Sequence, residues 1–71
     1  MDETTIVQTK TKGYVYVDTS YTMDRGWETM VFKSDENGEI TDWEGLDSCA
    51  YADESEANEG HSVMIKKWEN M

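Results

Sequence analysis

The sequence has no proline, one cysteine, and no Lys or Arg anywhere between Ser34 and Ile65. A lone cysteine, Cys49, cannot close an internal disulfide. The chain is therefore no stapled secreted mini-domain, and it suits a reducing cytoplasm. No apolar run approaches the roughly 20 residues of a membrane span. No basic segment followed by an apolar stretch marks a signal peptide. The six bases are scattered and outnumbered by sixteen acids, so a basic face for membrane or phosphate backbone is excluded. The five glycines are dispersed and build no phosphate-cradling loop.

Charge is what the chain does have. The base-free stretch holds ten carboxylates: Asp35, Glu36, Glu39, Asp42, Glu44, Asp47, Asp53, Glu54, Glu56 and Glu59. Outside it, six acids balance six bases, so the net charge of −10 belongs to one 32-residue segment. Seventy-one residues, 1–71, make one small domain with a marginal core. Three Trp, four Tyr, one Phe and five Met argue against disorder.

Period-two alternation dominates the first half. Thr4 to Thr11 is rich in β-branched residues and reads as a strand that Gly13 ends. Tyr14 to Thr22 sends Tyr14, Tyr16, Asp18 and Ser20 to one face and Val15, Val17, Thr19 and Tyr21 to the other, with Val15 and Val17 toward the core. Asp24-Arg25-Gly26 turns the chain into a third strand, Trp27 to Lys33. Asn37-Gly38 then predicts a type I′ hairpin leading to a fourth strand, Glu39 to Trp43. Glu44 to Ala52 reads as a loop. Asp53-Glu54-Ser55-Glu56 has the form of a capping box. It opens a helix to about Glu69, whose stripe of Ala57, His61, Met64 and Trp68 packs on the sheet. The expected fold is α+β: a four-stranded antiparallel meander packed by one C-terminal helix, ββββα.

Part of the acidity has a local reason. Carboxylates in a first helical turn stabilise the dipole by about 0.3–1 kcal/mol each, and a hairpin tip is polar by default. The joint pattern is harder to explain that way, because a solubilising surface normally mixes signs. Duplex DNA carries about one negative charge per 1.7 Å of axis, and a coarser row of carboxylates would be drawn to a Lys- and Arg-lined groove. The expected partner-binding residues are Glu36, Glu39, Asp42, Glu44, Asp47, Glu54 and Glu56, with Trp43 and Tyr51 as apolar anchors.

The run from Asp35 to Glu59, with Trp43 and Tyr51 inside it, resembles the small acidic inhibitors encoded by phages and mobile elements, of the anti-CRISPR and DNA-mimic type. The resemblance is compositional and covers less than half of the chain. It implies a non-enzymatic inhibitor in a host cytoplasm that blocks DNA loading by a nuclease, such as a CRISPR effector, or another DNA-binding protein. The competing expectation is a structural or accessory interaction module, dimeric through a strand edge or stabilised by metal, whose charge serves solubility.

Other chemistry has thin support. Asp35, Asn37, Gly38 and Glu44 match positions three, five, six and twelve of a calcium loop, but position one is Lys33. Cys49 and His61 are zinc candidates, with Asp47 or Asp24 to complete the set, yet no paired ligand spacing accompanies them. The alternative for His61 is a partly buried, hydrogen-bonded ring on the helix stripe. The alternative for Cys49 is a small apolar residue. No residues are arranged for catalysis, and no cofactor is expected. Tyr14 and Tyr16, opposite the valine face, form a solvent-facing platform that a single helix leaves uncovered.

Overall fold

Each hairpin closes on a glycine with left-handed backbone: Gly13, Gly26 and Gly38, at φ of 77°, 72° and 86°. The structure, a computed structural model, describes residues 2–71. Strands β1 (Glu3–Gln8), β2 (Tyr14–Thr22), β3 (Gly26–Ser34) and β4 (Ile40–Tyr51) form one antiparallel sheet in the order β1-β2-β3-β4. Helix α1 (Glu54–Glu69) packs across all four strands, giving the expected ββββα arrangement. It is not long and apolar enough to cross a membrane.

The third hairpin differs from expectation. Asn37 does not adopt positive φ, so the turn is not type I′. Instead the Gly38 N–H donates to the Asp35 carbonyl at 3.1 Å, and Asp35 Oδ1 accepts from the N–H groups of Asn37 and Glu39 at 2.8 and 3.0 Å. The Asp35 side chain thus fixes the start of a type I turn, and Gly38 alone supplies the left-handed residue of a three-residue connection.

The fourth strand is also longer than expected. The segment Glu44 to Ala52, expected as a loop, continues β4 to Tyr51. Its Gly, Asp, Ser and Ala content is poor for a strand. Pairing with β3 overrides that preference, through Val31 with Asp47, Thr29 with Cys49 and Trp27 with Tyr51. The residues β4 turns toward the helix, Asp47, Cys49 and Tyr51, mix polar and apolar character, so the segment lacks the clean alternation a strand normally shows. Irregular pairing around Val31 to Ser34 absorbs the surplus residues of β4.

The helix start follows its sequence closely. Asp53 is the N-cap, and its carboxylate accepts from the Glu56 N–H at 2.9 Å. The return arm reaches one residue further than in a standard box: Glu56 Oε2 accepts from Ala52 N–H at 3.1 Å. The stripe Ala57, His61, Met64 and Trp68 is buried as expected.

Val7, Val15, Val17, Val31, Met64 and Trp68 form the apolar core, with Ile65 and Met71 against it. Beside it runs a polar chain. His61 Nε2 meets Thr5 Oγ1 at 2.9 Å, and His61 Nδ1 meets Thr19 Oγ1 at 2.6 Å. Thr19 Oγ1 lies 2.5 Å from Thr29 Oγ1, which accepts from the Tyr51 hydroxyl at 2.9 Å. One continuous chain therefore joins all four strands to the helix. A single direction satisfies every group: Tyr51 donates to Thr29, Thr29 to Thr19, Thr19 to Nδ1, and the Nε2–H to Thr5. Among the described residues, no buried side-chain nitrogen or oxygen lacks a partner.

Burying a valine contributes about 1.5–3 kcal/mol, against a net ~1 kcal/mol for a hydrogen bond. Apolar burial therefore contributes more to stability. The polar chain sets the geometry, because an orphaned buried group costs about 1–3 kcal/mol. Thr19→Val should lower the thermal midpoint by roughly 5–20 °C, read by circular dichroism; an unchanged midpoint would show that the polar chain constrains nothing. Gly60→Ala gives a second test. Alanine is the better helix former by about 1 kcal/mol, but a Cβ on Gly60 would overlap the Tyr51 ring. The substitution should destabilise, and a raised midpoint would show that Tyr51 moves aside freely.

Candidate functional site

An up-and-down meander sorts residues by strand end, not by sequence neighbourhood. β1 starts, the β2–β3 turn lies, β4 finishes and α1 begins at one end of the sheet. That end carries Asp2, Glu3, Asp24, Glu28, Asp53, Glu54 and Glu56, with Arg25 as the one base among the described residues there. Arg25 leans on Glu28 at 3.7 Å across an exposed i, i+3 pair. The positive end of the helix dipole points into this acidic pole and lowers the cost of assembling it.

The opposite end holds the β1–β2 turn, the β3–β4 turn and the helix C-terminus, and with them Lys10, Lys12, Lys33, Lys66 and Lys67. Glu36, Glu39 and Asp42 lie at this end, and Asp42 is the β-partner of Lys33. The ten acids contiguous in sequence are therefore divided between the two ends in space. The signal that sequence reasoning missed was topology: once a meander is expected, Asp2, Glu3, Asp24 and Glu28 fall beside the helix start.

The expected binding residues differ in what they have left to offer. Glu36, Glu39 and Glu44 are exposed. Asp42 Oδ1 accepts from Glu44 N–H at 2.9 Å. Trp43 is 73% exposed, its ring 5.4 Å from that of Phe32 on the sheet face away from the helix. Glu54 and Glu56 are exposed, but Glu56 is engaged in the helix cap.

Two expected members belong to the fold instead. Asp47 Oδ2 accepts from Lys67 Nζ at 2.6 Å and from Trp68 Nε1 at 3.1 Å, clamping β4 to the end of α1. It is a tether, not a free surface charge. Tyr51 is half-buried against Gly60, with its hydroxyl given to Thr29, so it is not an exposed anchor. Burial and the nearby Cys49 and Asp47 raise its phenol above the usual value, against the lowering effect of the Thr29 bond.

The zinc expectation is not met by the geometry. Both nitrogens of His61 are engaged by threonines, Cys49 lies exposed on β4, and no three metal-binding side chains converge among the described residues. The calcium-loop match falls on the β3–β4 hairpin, where Asp35 Oδ1 binds its own backbone. An open groove of about 450 Å³ runs between β4 and α1, lined by Asp47, Cys49, Tyr51, Glu56, Val63 and Lys67.

No protein-family model, curated protein or solved structure matches the chain.

The Asp47 clamp predicts a pH dependence. Burial raises its carboxyl, but the hydrogen bonds from Lys67, Trp68 and the Ser48 N–H, with the Lys67 charge, outweigh that and hold it below the ordinary 3.8. A carboxyl lowered in the folded state stabilises fully above its unfolded value, and that stabilisation is lost as pH falls through the folded one. Urea titrations should therefore show the stability gap between the wild type and Asp47→Asn closing as pH drops below 3.8. A gap constant down to roughly pH 2 would contradict the clamp.

Proposed function

We propose that this protein is a non-enzymatic acidic ligand that occupies the basic nucleic-acid-binding surface of a host protein and excludes DNA from it. A CRISPR effector or another nuclease fits that description. The observation that carries the reading is the acidic pole, seven carboxylates with one base at the end where the helix starts. A single-sign patch of this density raises its own folding cost by self-repulsion, which a solubilising surface avoids by mixing signs. The helix dipole and Arg25 offset part of that cost, and a surface of opposite sign would recover more. Two unit charges 4 Å apart interact by about 1 kcal/mol in water and ~4 kcal/mol at the effective dielectric of a protein surface. A few such contacts suffice to compete with DNA, and they steer a fast, salt-sensitive encounter.

The test is competition. A fluorescent duplex is bound to each member of a panel of Lys/Arg-lined DNA-binding proteins, CRISPR effectors included, and displacement is followed by anisotropy at two salt concentrations. Displacement should be strong near roughly 50 mM salt and weak near roughly 500 mM. Asp24→Asn with Glu28→Gln and Glu54→Gln should weaken it by about tenfold. Glu36→Gln with Glu39→Gln and Asp42→Asn, at the lysine-bearing end, should weaken it by less than about threefold. Wild type that displaces no DNA at low salt, or equally well at both salts, would overturn the proposal.

A further inference from the structure

The sheet has two faces, and α1 covers one of them. On the other, Ile6, Tyr16 and Phe32 are successive β-partners across β1, β2 and β3, and Trp43 of β4 joins them through its contact with Phe32. An apolar band thus crosses all four strands, with Ile6 44% and Trp43 73% exposed. Gly38 approaches the Ile6 side chain so closely that a Cβ there would collide with it, so the acidic β3–β4 turn flanks this band.

One β-pair further along, between Thr4 and Met30, stands Asp18. No described residue forms an ion pair or side-chain hydrogen bond with it. Burial and the neighbouring Asp2 push its carboxyl above the usual range, against a smaller opposing effect of His61. Glu28 follows, one pair closer to the acidic pole. No Lys or Arg lies on this face of β1, β2 or β3.

We propose that the open face is a receptor for an arginine side chain of the partner, lying against Tyr16, Phe32 and Trp43 with its N–H fork on Asp18. The inference rests on the reading that the partner is basic, and it names which basic group is read and where. Aromatic rings alone would accept any apolar surface. A half-buried carboxylate with no cation beside those rings selects a positive charge. Arginine fits better than lysine, because its flat, weakly hydrated group stacks on rings and donates in a fork. A nucleic-acid strand would stack on the same rings, but its phosphates would meet Asp18, which has no base beside it.

The experiment uses the full chain, labelled with nitrogen-15, and two synthetic peptides of equal length and charge, one Gly/Arg and one Gly/Lys. Amide shifts should concentrate at Tyr16 to Asp18 and Met30 to Phe32, with the Trp43 indole moving too. The arginine peptide should bind at least about threefold tighter than the lysine peptide. Asp18→Asn should weaken arginine binding by about tenfold while melting no lower than wild type, since a desolvated, unpaired carboxylate is removed. Trp43→Ala, at an exposed position, should weaken it by about threefold.

Shifts confined to the acidic pole, equal affinity for the two peptides, or wild-type affinity in both variants would overturn the receptor while leaving the competition result untouched. Binding of a single-stranded oligonucleotide to the same amides would overturn it as well. Arginine binding without any DNA displacement would instead refute the proposed function and keep the receptor.

Discussion

The hydrogen-bonded chain from Thr5 through His61, Thr19 and Thr29 to Tyr51 is the constraint on which the rest of this molecule depends. Six side chains, four of them valines, make a small core, and valines specify helix position weakly because their contacts are non-directional. The imidazole contacts are directional at both nitrogens. They fix the rotation of α1 about its axis and its position along the sheet. Met64 and Trp68 then fall on the valines, Gly60 falls under Tyr51, and Lys67 reaches Asp47.

Placing the helix this way also decides what stays outside. One helix covers one face, so the residues that alternate with the valines and threonines have no internal partner. Most soluble sheets fill such positions with polar side chains. Here they include Tyr14, Tyr16, Met30, Phe32 and Ile6, with Trp43 alongside. The same helix brings its N-terminus to the sheet end where the acids of the β1 start and the β2–β3 turn gather. The aromatic face and the acidic pole are thus two products of one docking event.

Much of this architecture was legible from residue pattern. β2 was readable to the residue, because strict alternation over Tyr14–Thr22 is a long periodic signal. The helix stripe and the Asp53 cap were readable for the same reason. The second half of β4 was not, because Asp47, Cys49 and Tyr51 on the side facing the helix mix polar and apolar character and hide period two, and only pairing with β3 makes the segment a strand. The hairpin type was misread because an Asp35 side-chain bond outcompeted the Asn-Gly preference. The charge pattern was legible in amount but not in place. Adjacency along the chain suggested one acidic segment, whereas strand reversal divides it and adds four acids from the first half. Asp47 and Tyr51 looked like surface groups for a related reason: nothing local shows that Lys67, Trp68 and Thr29 will claim them.

The outer edge of β4 bears on how this protein behaves in a crowded cell. A twelve-residue strand with one edge unpaired is a template on which a second chain can zip, and such edges seed swapped dimers and fibres. On this edge Asp42 and Asp47 have turned their own carboxylates onto the N–H groups of Glu44 and Ser48. Those donors are withdrawn from any incoming strand, and two identical edges would also bring like charges together. The edge is thereby protected against self-association even at high concentration.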